Sequence, residues 1–354
     1  MSLVELGYTS DFARGFNQIA DDSLSPCRVS LEQRGLYAVL TDQGEMPAVP
    51  TGKLLYGSDD RADLPVVGDW VAAQILDEQP PRAIIHCVLP RKSMFSRKEA
   101  GKRVSRQPIA SNIDTVFIVM SLDNDFSPAR AERYLALAWE SGAEPVVLLT
   151  KCDQCSDVDA SIDIIRASAP GVPVHAVSVV AGQGLSVMSD YLKEGITVAL
   201  LGSSGVGKST LVNYLLGSDL QRVREVREVD SKGRHTTTHR QLFVLPGGGL
   251  VIDTPGMREI QLWNVDNGLA EAFVDIEVLA RQCRFGDCSH NDEPGCMVRA
   301  ALNDGSLDHR RFDNYMKMQA ELHFLERKQD AGLARVEREK WKNIHKQIRK
   351  MDKK

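Results

Sequence analysis

Residues 196–217, ITVALLGSSGVGKSTLVNYLLG, constrain the chain more than any other stretch. An apolar run ends at Gly202, four residues separate it from Gly207, Lys208 and Ser209, and an amphipathic helical pattern comes at once after them. Glycines here let successive backbone N–H groups turn inward, and the helix N-terminus adds the positive end of its dipole. Strand, loop and helix in that order are the context in which such a loop wraps phosphates. The spacing therefore predicts a phosphate cradle over Gly202, Ser203, Ser204, Gly205, Val206, Gly207, Lys208, Ser209 and Thr210. Lys208 is expected to reach the β- and γ-phosphates, and the Ser209 hydroxyl to bind Mg²⁺.

The flanking sequence supplies a sheet to carry that loop. From Asn112 onward strands alternate with helices: TVFIVMS, SPARAERYLALAWESG, PVVLLT, a helix near 157–168, VPVHAVS, a second helix, and then ITVALLG. Ser127 as N-cap, Pro128 at the first helical position and Gly142 at the end punctuate the first helix. Alternation of this kind predicts a parallel sheet covered by helices. A hairpin comes next, QLFVLP and LVIDT, joined through Gly247, Gly248 and Gly249.

Other motifs fit the same ligand. In VIDTPG, Asp253 ends an apolar strand where a carboxylate can hold Mg²⁺ through water, and Gly256 can donate its N–H to the γ-phosphate. Between the loop and this motif lies SKGRHTTTHR, residues 231–240, a polar segment expected to give a threonine to the metal. Thr237 is the choice, with Thr236 and Thr238 as alternatives. Upstream, LLTKCDQC at 148–155 runs a buried strand into Thr150, Lys151, Cys152 and Asp153. The Asp153 carboxylate can accept from guanine N1–H and the 2-amino group, neither of which adenine offers, so GTP is the expected nucleotide. Lys151 would lie along the base, and Ser178 would present backbone to guanine O6. Thr150 stands where most GTPases use Asn, and its shorter hydroxyl can still tie this loop to the phosphate loop. Cys152 and Cys155 also spell Cys-x-x-Cys, for which a redox pair is the competing reading.

Base motif, Ser178, phosphate loop, threonines and DTPG thus occur in a rotation of the usual GTPase order. The ligand requires only that they converge at the strand ends. The rotation makes the segment after DTPG the exit from the GTPase domain, so γ-phosphate sensing at Gly256 is expected to pull directly on the C-terminal domain.

Outside the alternating region, residues 28–90 hold five short strand-like stretches, RVSLE, LYAVLT, MPAVP, DWVAAQIL and RAIIHCVL. They predict a small barrel of the oligonucleotide-binding kind, with an SH3-like barrel or a purely structural module as alternatives. Beyond about residue 265 the chain reads as helical around CRFGDCSHNDEPGC. Cys283, Cys288, His290 and Cys296 make a three-thiolate, one-imidazole set suited to a closed, structural Zn²⁺ site, against free cysteines or a redox cluster. Seven cysteines, an odd number, argue against a disulfide framework. Phe312, Tyr315, Leu322 and Leu325 are expected in a core.

At 354 residues, 43% hydrophobic and 26% charged, the chain has room for two or three folded domains. No apolar run approaches the ~18 residues of a membrane span. The opening MSLVELGYTSDFARG has neither a basic start nor a sustained apolar stretch, so no membrane and a cytoplasmic location are expected. Net charge is −5, yet residues 91–108 hold seven Lys or Arg against one Glu, and residues 327–354 eleven against four acids. Such asymmetry predicts local contacts to a polyanion, or else a solvated linker and tail. In the tail, Trp341, Ile344 and Ile348 fall at helical spacing amid positive charge.

TKCD, GSSGVGKST, GRHTTTHR, DTPG and the Cys/Cys/His/Cys cluster, behind an N-terminal barrel, closely resemble the bacterial ribosome small-subunit-dependent GTPase A family over about residues 28–330. The resemblance implies a multidomain α/β chain with a five-stranded OB-like barrel, a circularly permuted P-loop GTPase domain and a C-terminal helical zinc-binding domain. The expected division is 1–27 extension, 28–95 barrel, 96–111 basic linker, 112–262 GTPase, 263–330 zinc-binding unit and 331–354 basic tail. It further implies a GTP hydrolase stimulated by the small ribosomal subunit, acting late in its maturation near the decoding region. Its partners would be that subunit's rRNA, bound through barrel and zinc domain, and GTP or GDP, with the protein itself a monomer. Met257 comes after DTPG where Ras-like enzymes place a water-positioning Gln, so unassisted hydrolysis is expected to be slow. Lys208, Thr237 and His235 are the expected catalytic residues. His235 is the nearest candidate to orient or deprotonate the water, with a structural or RNA-facing histidine as the alternative. The competing functions are a GTP-gated RNA-binding translation regulator and a zinc or thiol sensor.

Overall fold

The computed structural model describes residues 1–19, 21–33, 35–57, 61–98, 106–123, 125–217, 240–253, 266–325 and 327. His235, Gly256, Met257, the threonines at 236–238 and the basic tail lie outside them.

Strands β1 (Ser25–Gln33), β2 (Leu36–Thr41), β3 (Gly44–Pro50), β4 (Trp70–Leu76) and β5 (Arg82–Val88) form the N-terminal unit. They pair in the order β1-β2-β3-β5-β4, and β4 returns to β1, which closes the barrel. The β3–β5 pair is parallel and the rest antiparallel. This Greek-key closure favours the oligonucleotide-binding reading over the SH3-like one. Alternating inward residues fill it: Cys27, Val29, Val39, Met46, Ala48, Val71, Ala73, Ala83 and Ile85. The barrel is preceded by helix α1 (Ser10–Asn17), and a short α2 (Gly52–Gly57) comes after β3. Tyr8 and Phe12 pack on the buried Trp70, with ring centroids 4.7 and 5.9 Å away, so the first residues join the core shared with the GTPase region and lie outside the barrel interior.

The stretch read as a linker carries two strands, β6 (Met94–Lys98) and β7 (Arg106–Ser111), paired as an antiparallel ribbon. Next come β8 (Thr115–Ser121), α3 (Pro128–Ser141), β9 (Glu144–Thr150), α4 (Val158–Ser168), β10 (Val174–Val177), β11 (Thr197–Leu201), α5 (208–217), β12 (Arg240–Val244) and β13 (Leu250–Asp253). Every residue of β8 is buried, as expected for a continuous apolar strand covered on both faces. The alternation predicts a second helix between Ser178 and Gly195, but only a six-residue 3-10 turn, Leu185–Asp190, forms there. Gly182 and Gly184 adopt positive φ and Ser178 bridges to Gln183, so the first part of the segment is a turn in place of helix.

The GTPase sheet runs β10-β9-β8-β11-β13-β12, parallel except for β12. Read with the phosphate-loop strand β11 at its centre, this is a doubly wound nucleotide fold reached with rotated connections. β12 then pairs with barrel strand β1 through Leu31–Gln241 and Glu32–Arg240, and Arg240 forms an ion pair with Glu32 at 2.8 Å. Barrel and GTPase sheet are therefore one continuous sheet.

Arg28, 1% exposed, fastens that seam. Its guanidinium donates to the carbonyls of Leu6, Gly68 and Asn112 and to Thr197 Oγ1 at 2.7 Å, the first residue of β11. Burial lowers its pKa to about 10, opposed by Asp114 and Asp69. The C-terminal helices, α6 (Asp266–Ala272), α7 (Val274–Ala280), α8 (Met297–Asp304) and α9 (309–325), pack on α3 and α4. Gly268 lets α6 approach α3 closely, since a Cβ there would sit 2.0 Å from Ala136 O. Tyr315 and Leu322 are buried in this core, with Phe312 packed beside them.

Candidate functional site

The parallel strands deliver their C-terminal ends to one edge of the sheet. β8 and β9 pair Ser121 with Thr150, β9 and β10 pair Thr150 with Val177, and β11 reaches Leu201 opposite Ile118. One residue further on β9, β10 and β11 lie Lys151, Ser178 and Gly202, and Asp253 closes β13 on the far side of β11. Ligands of doubly wound sheets bind along this edge.

The phosphate loop arches from Gly202 to α5. Gly202 is required sterically, because a Cβ there would stand 2.2 Å from Val119 O. Gly205 and Gly207 adopt φ of 83° and 98°, the left-handed turns that point successive N–H groups to one side. Lys208 Nζ donates to the loop's own carbonyls, Gly202 O at 2.6 Å and Ser203 O. Ser209 and Thr210 are exposed at the start of α5. Thr150 does what its hydroxyl predicts: Oγ1 donates to Val206 O at 2.6 Å, joining base strand to phosphate loop.

Around the base loop, Lys151 is in the left-handed conformation (φ 58°, ψ 36°), and Cys152–Gln154 form a short 3-10 turn with Asp153 exposed. Cys152 Sγ lies 3.6 Å from Gln183 Oε1, while Gln183 and Ser178 exchange backbone hydrogen bonds at 2.9 Å. The loops of Asp153 and Ser178 are thus side by side. Cys152 and Cys155 are both free thiols, and burial followed by the Asp153 charge raises the Cys152 pKa, which works against a reactive redox pair.

Sequence reasoning missed the third wall. In the loop after β8, Asp123 accepts from Lys151 Nζ at 2.7 Å, and Arg130 Nη1 donates to both the Asp125 carboxylate and Ser203 Oγ, the latter at 3.0 Å. Tyr134 OH is 3.4 Å from Ser203 Oγ. The only sequence signal was the position of SLDND at the carboxyl end of a buried strand.

Away from this edge, Cys283, Cys288, His290 and Cys296 place their donor atoms within 4.8 Å of one another. Cys283 Sγ is 3.9 Å from Cys296 Sγ and 3.7 Å from His290 Nδ1, and Cys296 Sγ is 3.5 Å from that nitrogen. A tetrahedron with Zn–S bonds of ~2.3 Å has edges of about 3.8 Å, so the donors are compatible with zinc. His290 reaches the cluster from a left-handed backbone (φ 61°), and Cys296 caps α8 by accepting from Arg299 N. The cluster lies in the α7–α8 connection, which carries no regular structure of its own.

Among the described residues no helix is long and apolar enough to cross a membrane. The sequence pattern described as RsgA GTPase matches residues 88–263, and one described as a 50S ribosome-binding GTPase matches 197–354. A protein named small ribosomal subunit biogenesis GTPase RsgA, from Opitutus terrae, is 46% identical over 353 residues, covering 98% of this chain and 96% of the relative. Small ribosomal subunit biogenesis GTPase RsgA 1 from Oceanobacillus iheyensis is also 46% identical, over 91% of this chain and 92% of its own. Among solved structures, YjeQ from Thermotoga maritima superposes with a TM-score of 0.65 at 26% identity, covering 84% of this chain and 98% of that one. YloQ, described as a circularly permuted GTPase, gives 0.61 at 25% identity, over 85% and 96%. With the permuted sheet, the phosphate loop and near end-to-end similarity in agreement, the chain belongs to the RsgA GTPase family.

Proposed function

We propose that this protein is a GTP hydrolase switched on by the small ribosomal subunit, that it serves late maturation of that subunit, and that it contacts the rRNA through its barrel and C-terminal helical unit. One observation carries the reading. Thr150 to Asp153, Ser178, the phosphate loop and Asp253 gather on one edge of a permuted sheet, in a chain nearly half identical to a protein named for small-subunit biogenesis.

In this reading Asp153 accepts from the guanine edge, Ser178 backbone meets O6, and the N–H groups from Ser203 to Lys208 surround the phosphates. Lys208 exchanges its loop carbonyls for phosphate oxygens, whose full negative charge makes them stronger acceptors. Ser209, Asp253 and Thr237 offer the hard oxygen donors that suit Mg²⁺. When bound, that ion neutralises charge developing on the phosphate oxygens. Gly256 N–H senses the γ-phosphate, and His235 orients or deprotonates the attacking water. Met257 has no group for that task, so turnover without the ribosome is slow. Cys283, Cys288, His290 and Cys296 hold one structural Zn²⁺, which pins the connection between α7 and α8. The protein acts as a cytoplasmic monomer.

GTP turnover with purified ribosomal subunits tests this. Small subunits should raise the rate by orders of magnitude and large subunits should not, and His235→Ala should lose most of the stimulated rate, ~10²-fold or more, with GTP affinity nearly unchanged. Equal stimulation by large subunits, or none by either, would sink the proposal.

A further inference from the structure

We propose that Asp123 is a positioning residue for nucleotide binding, holding the Lys151 side chain where it lines the purine. The inference rests on the reading of Lys151 and Asp153 as the base loop. It concerns a residue outside every nucleotide motif in the chain.

Lysine has four rotatable side-chain bonds, and an unheld one would pay their entropy each time nucleotide binds. Here the cost is met in advance. Lys151 Nζ and Asp123 Oδ2 are 2.7 Å apart, each side chain only 32% exposed. The aspartate is itself fixed, since its Oδ1 accepts from Ser121 Oγ at 2.7 Å and from Asp125 N at 2.9 Å. Both carboxylate oxygens are thereby used. The Lys151 hydrogen bond, then those from Asp125 N–H and Ser121, hold the Asp123 carboxyl well below the usual carboxylate range, so it stays ionised.

The loop that carries Asp123 is anchored to the phosphate side. Arg130 bonds the Asp125 carboxylate and Ser203 Oγ, so the backbone between β8 and α3 is tied to the phosphate loop at one end and to Lys151 at the other. On its other flank the base loop is tied by Thr150 to Val206 O. Lys151 occupies a left-handed backbone between those two ties; among the described residues only Asn112 and His290 share that feature without being glycine. A side chain held this way reads the base from a position referenced to the phosphates, which is what preorganisation of a binding site requires.

The test is a double-mutant cycle on GDP binding, with a fluorescent GDP for affinity and release. The parent, Asp123→Asn, Lys151→Met and the double variant are compared, each with its thermal melt as nucleotide-free protein. Asp123→Asn should weaken GDP about tenfold, chiefly through faster release, and raise KM for GTP with little change in kcat. In the Lys151→Met background the same substitution should add almost nothing, because Asp123 acts through that lysine. The nucleotide-free melts should stay within a degree or two, as for a partly exposed pair. Full multiplicative loss in the double variant, or unchanged GDP release in Asp123→Asn, would overturn the assignment while leaving the base loop itself intact. Equal affinity of the parent for GDP and ADP would instead overturn the base-loop reading and this inference with it.

Discussion

Replacing Arg311 with methionine should loosen the C-terminal helices from the GTPase domain. Its side chain is 6% exposed, and all five of its N–H donors are used. Nε and Nη2 grip the two oxygens of Asp275 at 2.8 and 2.7 Å, Nη1 reaches Glu132 Oε1 and Ser168 O at 2.8 Å each, and Nη2 also meets Ala272 O at 2.9 Å. The cation lies over the Phe273 ring at 4.7 Å. Glu132 and Ser168 belong to α3 and α4, Ala272 and Asp275 to the helical unit, so one side chain joins both. Removing one partner of a buried pair costs about 3–5 kcal/mol, because the other charge is left buried without compensation. Two carboxylates lose their cation: Asp275 is 36% exposed and can be hydrated, whereas Glu132, at 3%, keeps Asn314 as its remaining side-chain partner.

Burial already raises the Glu132 pKa in spite of Arg311, and without that cation it rises further. A raised folded-state pKa favours folding at low pH and loses that contribution as pH climbs through it. The Arg311→Met penalty should therefore be smallest near pH ~4 and grow toward pH ~8, and adding Glu132→Gln should recover part of it. Urea unfolding midpoints across that range, for the parent, the single and the double variant, supply the measurement. A loss under ~1 kcal/mol at the alkaline end, or a double variant no better than the single, would refute the idea that an orphaned carboxylate sets the cost.

Asp153→Asn should weaken GTP by about 10²-fold or more, since a charged two-oxygen acceptor becomes a neutral amide that accepts from one guanine donor and opposes the other with its own N–H, and should bind xanthosine triphosphate better than the parent does, because the new amide donates where the purine now presents a carbonyl. Unaltered GTP affinity in that variant would remove Asp153 from the base site. Purified protein should carry one zinc per chain by elemental analysis, and Cys288→Ser should raise hydrogen exchange around residues 283–296 while fluorescent GDP still binds. Folded protein free of metal would refute the zinc assignment.

Particular residues show what a sequence can reveal. The phosphate loop was legible because its chemistry is local: glycine spacing, an apolar strand before and a helix after define it without reference to the rest of the chain. The same is true of the cysteine cluster, whose ligands span fourteen residues of sequence from 283 to 296, and of the barrel strands, whose period-2 alternation marks their inward faces. Arg28 gave no such signal, since its bonds to Asn112 and Thr197 cross 84 and 169 residues. Arg311 gave none either, since its bond to Glu132 crosses 179. Asp123 sat 28 residues from the lysine it holds, in a loop with no motif to mark it. The missing helix after Ser178 went the other way, where apolar residues at helical spacing were outweighed by two glycines and a bridge.

By itself the sequence determined which chemistry the chain can perform, because the groups that touch phosphate, base and metal must be of fixed type and close spacing. Only the tertiary structure decided how three units become one body: the pairing of β12 with β1, the guanidinium at each seam and the loop that steadies the base lysine. Those interactions join residues whose side chains are ordinary and whose separation along the chain is arbitrary, so nothing short of folding brings them to notice.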